Sequence, residues 1–120
     1  MIVAFSVSPS GERPAEAGHA PSGVAPDSVH EAVAAAVRIV RESGLPNRTS
    51  SMFTEIEGEW DEVMDVVKRA TEAVGRYGTR VSLVLKADIR PGHSGEIDGK
   101  VERLERAIEE ARRDPDGSGR

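Results

Sequence analysis

Two segments of the chain alternate apolar and polar residues with the period of two that is typical of a β-strand. In residues 2–8, one face carries Val3, Phe5 and Val7. The other face of this segment carries Ile2, Ala4, Ser6 and Ser8. In residues 79–90, the apolar face carries Val81, Leu83, Leu85, Ala87 and Ile89. The second face there carries Ser82, Val84, Lys86 and Asp88. Both strands are thus predicted to have one apolar face and one mixed face.

Three other segments space their apolar residues at intervals of three and four, which predicts helices. The first helix has an N-cap at Asp27 or Ser28 and ends near Gly44, and its apolar residues are Val29, Val33, Ala36, Val37 and Val40. The second begins at about Glu59, with a predicted buried stripe of Trp60, Val63, Met64, Val67, Ala70 and Val74. The third carries Ile97, Val101, Leu104 and Ile108.

Between the first two helices, residues 47–58 favour two short strands in a hairpin. The order β-α-β-β-α-β plus a terminal helix predicts an α+β, ferredoxin-like antiparallel sheet with its two main helices on one face. We expect one domain over residues 1–112 and a disordered tail over residues 113–120. Residues 11–26, rich in glycine and proline, predict a long loop insertion, either mobile or an ordered lid.

The mixed face of this sheet holds too many aliphatic side chains to face water comfortably. A second sheet packed against it would bury them, so we expect a homodimer or homotetramer joined through the sheet face.

Composition narrows the classes of function. The net charge of −5 and the lack of a basic block argue against nucleic acid as a partner. The absence of cysteine excludes thiolate catalysis and zinc–thiolate sites, and the three histidines lack ligand spacing, so no metal site is predicted. The chain shows neither a signal peptide nor a membrane-spanning segment, which predicts a cytoplasmic protein without a membrane partner.

The acidic residues of the stretch "SMFTEIEGEWDEVMDVV" divide into two groups. Glu59, Asp61 and Glu62 fit the first turn of a helix, with Gly58 as an acceptable cap. Glu55 and Glu57 fall on a strand, where carboxylates are disfavoured. Glu55 is either an edge charge that blocks aggregation or a ligand group. Glu57, at the junction of strand and helix, is the stronger candidate for ligand binding.

Lys86 and Asp88 share the mixed strand face, where they either pair with each other or meet a ligand. The loop "RPGHSG" over residues 90–95 offers backbone amides to a phosphate but lacks the lysine and spacing of a P-loop. No nucleophile–base spacing or metal cluster is present, so no catalytic residues are predicted.

The segments "MIVAFSVSPSG", "RESGLPNRTSSMFTEIEGEWDEVMDVVKRA" and "RVSLVLKADIRPG", with "GKVERLE" further on, resemble the thiamine-binding protein family, also known as MTH1187/YkoF-like. The most specific parts are "MFTEIEGEWDEVM" and "VLKADIRPG". The family pattern corresponds to Met52, Thr54, Ile56, Glu57 and Gly58. Two features depart from the family: Phe53 stands where many members carry a small residue, and the insertion at 11–26 is longer than the usual link.

The resemblance implies a ferredoxin-like fold, oligomers built by sheet packing, and binding of thiamine or its hydroxymethylpyrimidine part rather than catalysis. Thr54 and Glu57 are carried over from the motif as ligand-binding residues. The predicted sheet face adds Ser6 and Ser8 as hydroxyl donors, with Lys86 and Asp88 beside them. Phe53 or Trp60 would stack on the ligand.

The leading hypothesis is therefore a non-enzymatic carrier, store or sensor of thiamine or hydroxymethylpyrimidine, with no cofactor apart from that ligand. A structural module whose sheet face serves only oligomerisation is one alternative. An enzyme that acts on a thiamine precursor, with Glu57 and Asp88 as acid and base, is the other.

Overall fold

The computed structural model of the chain describes residues 1–12 and 25–113. Its elements in chain order are β1 (Ile2–Ser10), α1 (Ala25–Glu42), β2 (Asn47–Thr49), β3 (Thr54–Glu57), α2 (Trp60–Val74), a 3₁₀ turn (Gly75–Tyr77), β4 (Arg80–Asp88) and α3 (Glu96–Arg113). The predicted order of elements is confirmed. The predicted loop lies largely outside the described residues, as do residues 114–120 of the predicted tail.

The described strands form one four-stranded antiparallel sheet in the order β2-β3-β1-β4. This is the ferredoxin-like arrangement, in which the first and last strands of the βαββαβ unit lie side by side. β1 pairs with β4 over its whole length, from Ile2 opposite Asp88 to Ser10 opposite Arg80. β3 is much shorter and pairs only with residues 2–5 of β1. The second half of β1 therefore has a strand neighbour on one side only.

The core lies between the sheet and the helices α1 and α2. The predicted apolar face of β1 is confirmed, since Val3, Phe5 and Val7 are all buried. Aliphatic residues from both helices cover them, and the buried helical residues are Ala32, Ala36, Val40, Val63, Val66, Val67, Ala70 and Val74. β-branched and small side chains dominate this core, which lets the helices approach the sheet closely.

Several residues predicted for buried stripes are exposed. Trp60 is 54% exposed, because α2 begins there and its first buried residue is Val63 one turn later. Val29 and Val33 of α1 are exposed as well, whereas Ala32 is fully buried in their place. The predicted helical period is right, but the face that meets the sheet is rotated from the predicted one.

The third helix differs most from its prediction. α3 carries the predicted apolar stripe, but only Ile97 is buried within this chain. Val101, Leu104 and Ile108 are exposed, Leu104 by 59%. The stripe therefore has no covering partner within the described chain. None of the described helices combines the length and apolar character needed to cross a bilayer.

The register also confirms the predicted mixed face of the sheet. Ala4 lies opposite Lys86, Ser6 opposite Val84, and Ser8 opposite Ser82. Val84 and Lys86 are exposed, whereas Ala4 and Ser6 are half-buried. Aliphatic and polar side chains thus alternate on a face that α1 and α2 do not cover.

Candidate functional site

A pocket with a volume of about 170 Å³ lies beside the second half of β1. Its walls are residues 5–8 of β1 and residues 49–54, which connect β2 to β3 and include the first residue of β3. Val33, Ala36 and Val37 of α1 form the remaining wall. The pocket is therefore mainly apolar, with several hydroxyl groups along the strand and the hairpin turn.

The pocket exists because β3 is too short to pair with the second half of β1. The last register pair between β1 and β3 is Phe5 with Thr54. One step further, the chain leaves the sheet: the N–H of Met52 is donated to the hydroxyl of Ser50, as is the N–H of Phe53. The turn is closed by a bond from the Ser50 N–H to the Phe53 carbonyl at 2.9 Å. A slot is left beside β1 where the next residue of β3 would otherwise lie.

Thr54 is the most buried polar residue in the pocket wall, at 7% exposed. No hydrogen bond joins its hydroxyl to another group among the described residues. Buried hydroxyls normally have a partner, so an unpaired one in a pocket wall is available to a ligand. Ser6 and Phe53 are half-buried nearby, and Ser8 is exposed.

The predicted site residues thus separate into two groups. Ser6, Ser8, Phe53 and Thr54 all line the pocket. Glu57, Lys86 and Asp88 do not. Ile2 is the residue opposite both Glu57 and Asp88, three positions before Phe5 on β1. Three residues of a strand span about 10 Å, so these carboxylates lie at the other end of the sheet from the centre of the pocket.

Glu57 binds the N-terminus of α3. Its carboxylate accepts the backbone N–H of Glu96 at 2.9 Å and that of Ile97 at 3.3 Å. The side chain is 5% exposed, and both N–H groups belong to the first helical turn, where a negative charge is favoured. These two amides directly follow the loop 90–95, so Glu57 fixes the point at which that loop enters α3.

Two other carboxylates near this end of the sheet, those of Asp88 and Glu96, also have partners. Asp88 forms a salt bridge with Lys100 of α3 and not with Lys86, which was one of the two alternatives for these residues. The hydrogen bond from Lys100 lowers the pKa of Asp88. Arg103 donates to Glu96 at 2.6 Å, and this bond lowers the pKa of Glu96 although burial opposes it.

The acidic start of α2 has the predicted structural role. The carboxylate of Glu62 accepts the backbone N–H of Glu59 at 2.9 Å, which fixes the first turn. The N-cap is Glu59 rather than Gly58. Gly58 instead exchanges backbone hydrogen bonds with Met1, which extends the pairing of β1 and β3 by one residue.

Within residues 1–12 and 25–113, no group of histidine and acidic side chains is placed to hold a metal ion. Several residues of the pocket were not among the predicted site residues, and they include Val7 at the unpaired edge of β1 and Val33 in the α1 wall. One feature of the sequence indicated the unpaired edge of β1. The predicted hairpin strands were shorter than the first strand, so part of the first strand had to lack a neighbour on the side of the hairpin.

The fold and the pocket define a small α+β domain with room for a single ring. The model of the family described as "Thiamine-binding protein" matches residues 15–105. The chain belongs to this thiamine-binding protein family.

Similar proteins span two thirds or more of the chain. A UPF0045 protein of Mycobacterium bovis is 47% identical over 109 residues, covering 90% of this chain and 94% of the relative. A UPF0045 protein of Synechocystis is 35% identical over 83 residues, covering 68% of this chain and 69% of the relative.

Two solved structures share the fold. A domain of unknown function, DUF77, from Bacillus cereus has a TM-score of 0.65 and 32% identity, covering 83% of this chain and 85% of that one. A Thermotoga maritima protein, provisionally named for thiamine biosynthesis or salvage, has a TM-score of 0.63 and 24% identity, covering 86% and 96%.

Proposed function

We propose that this protein binds thiamine, or free hydroxymethylpyrimidine, by placing the pyrimidine ring in the pocket beside β1. The observation that carries the proposal is the pocket itself, which the family motif enters through Met52 and Thr54. A volume of about 170 Å³ is close to the ~150 Å³ cavity that holds one benzene ring. The pocket therefore accepts one half of thiamine, and the thiazolium ring would extend outward.

The chemistry of the wall suits a substituted pyrimidine. Phe5, Val33 and Ala36 supply apolar surface for the ring, and Phe53 supplies an aromatic face for stacking. The unpaired Thr54 hydroxyl supplies a donor or acceptor for a ring nitrogen. The exposed side chain of Met52, near the turn, is suited to a flexible contact with the outer part of the ligand.

The pocket favours binding over catalysis. None of the described residues that line it has an ionisable side chain, so none of these residues can act as acid or base on a ligand there. Glu57 and Asp88, the acid and base of the enzyme hypothesis, are engaged by α3 and lie on strands separated by β1. We therefore propose a carrier, store or sensor located in the cytoplasm.

We also propose that the protein is a homo-oligomer. The mixed sheet face and the exposed stripe of α3 together present Val84, Val101, Leu104 and Ile108 to solvent in the single chain. Large apolar side chains exposed in this number are usually covered by a partner, and a second copy of the chain is one such partner. This observation also favours the alternative function, a structural module that binds no small molecule.

Thermal unfolding with added ligand tests the binding proposal. Thiamine, hydroxymethylpyrimidine and thiamine phosphate are each added at millimolar concentration. A ligand at 100 times its dissociation constant contributes ~2.7 kcal/mol, which raises Tm by roughly 10 °C for a domain of this size. If none of the three raises Tm, the binding proposal is rejected. Mass spectrometry of the recovered ligand should show it unchanged, and a converted product would favour the enzyme alternative.

The assembly is tested by measuring molar mass in solution. Leu104→Glu places a charge in the α3 stripe and should reduce the mass toward that of a single chain. Arg106→Glu, half a helical turn away from the stripe, is the matched control and should leave the mass unchanged. A wild-type protein that is monomeric at high concentration would contradict the proposal.

A further inference from the structure

We propose that the backbone of Val7, at the unpaired edge of β1, forms hydrogen bonds with the amino group and the adjacent ring nitrogen of the pyrimidine. This inference deepens the proposed function and rests on it. In this arrangement the ligand takes the place in the sheet that β3 leaves empty beside Val7.

The direction of the Val7 backbone follows from the hydrogen bonds at the start of β1. Met1 and Gly58 exchange backbone bonds, so the backbone groups of Met1 point toward β3. In an antiparallel strand, the N–H and C=O of one residue point to the same side, and successive residues alternate. Val3, Phe5 and Val7 therefore all point their N–H and C=O toward the β3 side.

A second bond supports the same assignment. The N–H of Glu57 is donated to the carbonyl of Pro46, so Glu57 faces β2. Its neighbour Ile56 must then face β1, where it pairs with Val3. By the same alternation, Thr54 pairs with Phe5 through hydrogen bonds, and the next position of this kind on β1 is Val7.

Among the described residues, Val7 has no strand partner on that side. The register between β1 and β3 ends at Phe5, and Met52, which would come opposite Val7, donates its N–H to the turn instead. Both Val7 and Thr54 line the pocket. The next residue of β1 with the same orientation is Pro9, which lacks an N–H. Beyond Phe5, Val7 is thus the one described position of β1 that offers a donor and an acceptor together to this side.

The aminopyrimidine ring carries the complementary pair. Its exocyclic amine donates, and the ring nitrogen beside that amine accepts. A strand residue paired with Val7 would present the same two functions, one N–H and one C=O. The edge of a sheet binds extended peptides by this means, and a flat heterocycle with a matching donor and acceptor can use the same two bonds.

The inference predicts discrimination against a ring in which the amine is replaced by a carbonyl. In oxythiamine, the carbonyl oxygen accepts and the neighbouring ring N–H donates, so each group meets the wrong partner on Val7. Turning the ring over restores both bonds only by pointing the large C5 substituent in the opposite direction along β1. Sites that hydrogen-bond a ligand group discriminate strongly against analogues that lack it.

Calorimetric titration of the wild-type protein with thiamine and oxythiamine is the decisive experiment. We expect thiamine to bind at least tenfold more tightly. Equal affinity for both compounds would overturn the reading by Val7 while leaving the proposed function in place. If neither compound nor hydroxymethylpyrimidine binds, the proposed function itself fails.

A pair of variants tests the backbone donor directly. Val7→Pro removes the N–H that points into the pocket and leaves the ladder between β1 and β4 intact, because that ladder uses the alternate residues. Val7→Ala makes a comparable loss of side-chain volume and keeps the N–H. We expect Val7→Pro to lower thiamine affinity at least tenfold relative to Val7→Ala, and equal affinities would contradict the proposal.

A third measurement does not depend on the proline variant folding. In wild-type protein, thiamine should slow hydrogen exchange at the Val7 amide, because that N–H becomes bonded to the ring nitrogen. An unchanged exchange rate at saturating thiamine would overturn the inference.

Discussion

The two ends of β3 differ in how fully their polar groups are paired. At the end that holds Glu57, the carboxylate accepts two helix N–H groups, and the nearby Asp88 pairs with Lys100. At the end that begins with Thr54, a buried hydroxyl has no partner among the described residues, and the adjacent edge of β1 is exposed to a pocket. The two ends belong to a strand of only four residues.

The two parts of one sequence motif therefore have different structural roles. The first part of the family pattern, Met52 and Thr54, faces the pocket. The last part, Glu57 and Gly58, holds α3 and Met1 against the sheet. A carboxylate whose oxygens already accept two helix N–H groups has little hydrogen-bonding capacity left for a ligand, whereas a hydroxyl without a partner among the described residues is available to one. Substitutions at the two ends should therefore separate stability from binding.

The largest effect is expected at the paired end. Glu57→Ala removes the acceptor of two buried N–H groups and should cost about 2–4 kcal/mol in the free energy of unfolding. Urea denaturation of the ligand-free protein measures this cost. Glu55→Ala, on the same strand but half-buried, is the control and should cost less than about 1 kcal/mol. A Glu57 variant as stable as wild type would show that the two ends do not differ in this way.

A smaller and opposite effect is expected at the unpaired end. Thr54→Val replaces the hydroxyl by a methyl group of the same shape, so the free energy of unfolding should change little or increase. Thiamine affinity should fall about tenfold, which corresponds to ~1.4 kcal/mol of binding free energy. Calorimetric titration checks the affinity, and Thr79→Val, an exposed position outside the pocket, is the control. If both variants bind thiamine as wild type does, Thr54 does not contact the ligand.

The smallest expected effect is on how the stability of the protein depends on pH, through the ion pair between Arg103 and Glu96 of α3. Because Arg103 lowers the pKa of Glu96 below its ordinary value of 4.5, the pair stabilises the folded state above that pH. This stabilisation decreases as the pH falls below 4.5, and it is lost once the pH has passed the lowered pKa of Glu96.

Arg103→Gln should therefore lower Tm slightly at pH 7, and the difference from wild type should shrink in acid. Arg106→Gln on the same helix is the control and should show no such convergence. A difference that grew toward low pH would contradict the assignment of the pair.

The sequence predicted the fold well because strand and helix periods are local properties. The alternation of Val3, Phe5 and Val7 indicates a strand whatever lies around it. The rotation of α1 was not predictable, because Val33 and Ala32 both fit a helix, and only the facing sheet selects the smaller residue for close contact. The burial of Trp60 was predicted wrongly for a related reason. Helical spacing does not show at which residue a helix begins to contact the sheet.

The candidate site was predicted in part. Thr54 and Phe53, which were named from the comparison with the family motif, both line the pocket. Glu57 was considered for a ligand, but its partners are amides that lie 39 and 40 residues further along the chain. No pattern within the motif reveals that the first turn of α3 returns to this point.

By itself, the sequence determined the number, type and order of the elements and the mixed character of one sheet face, because side-chain periodicity and turn residues act over a few positions. Only the tertiary structure decided which polar groups are satisfied and which are free. That depends on where β3 ends against β1 and where α3 meets the sheet, and both are set by contacts between residues far apart in the chain.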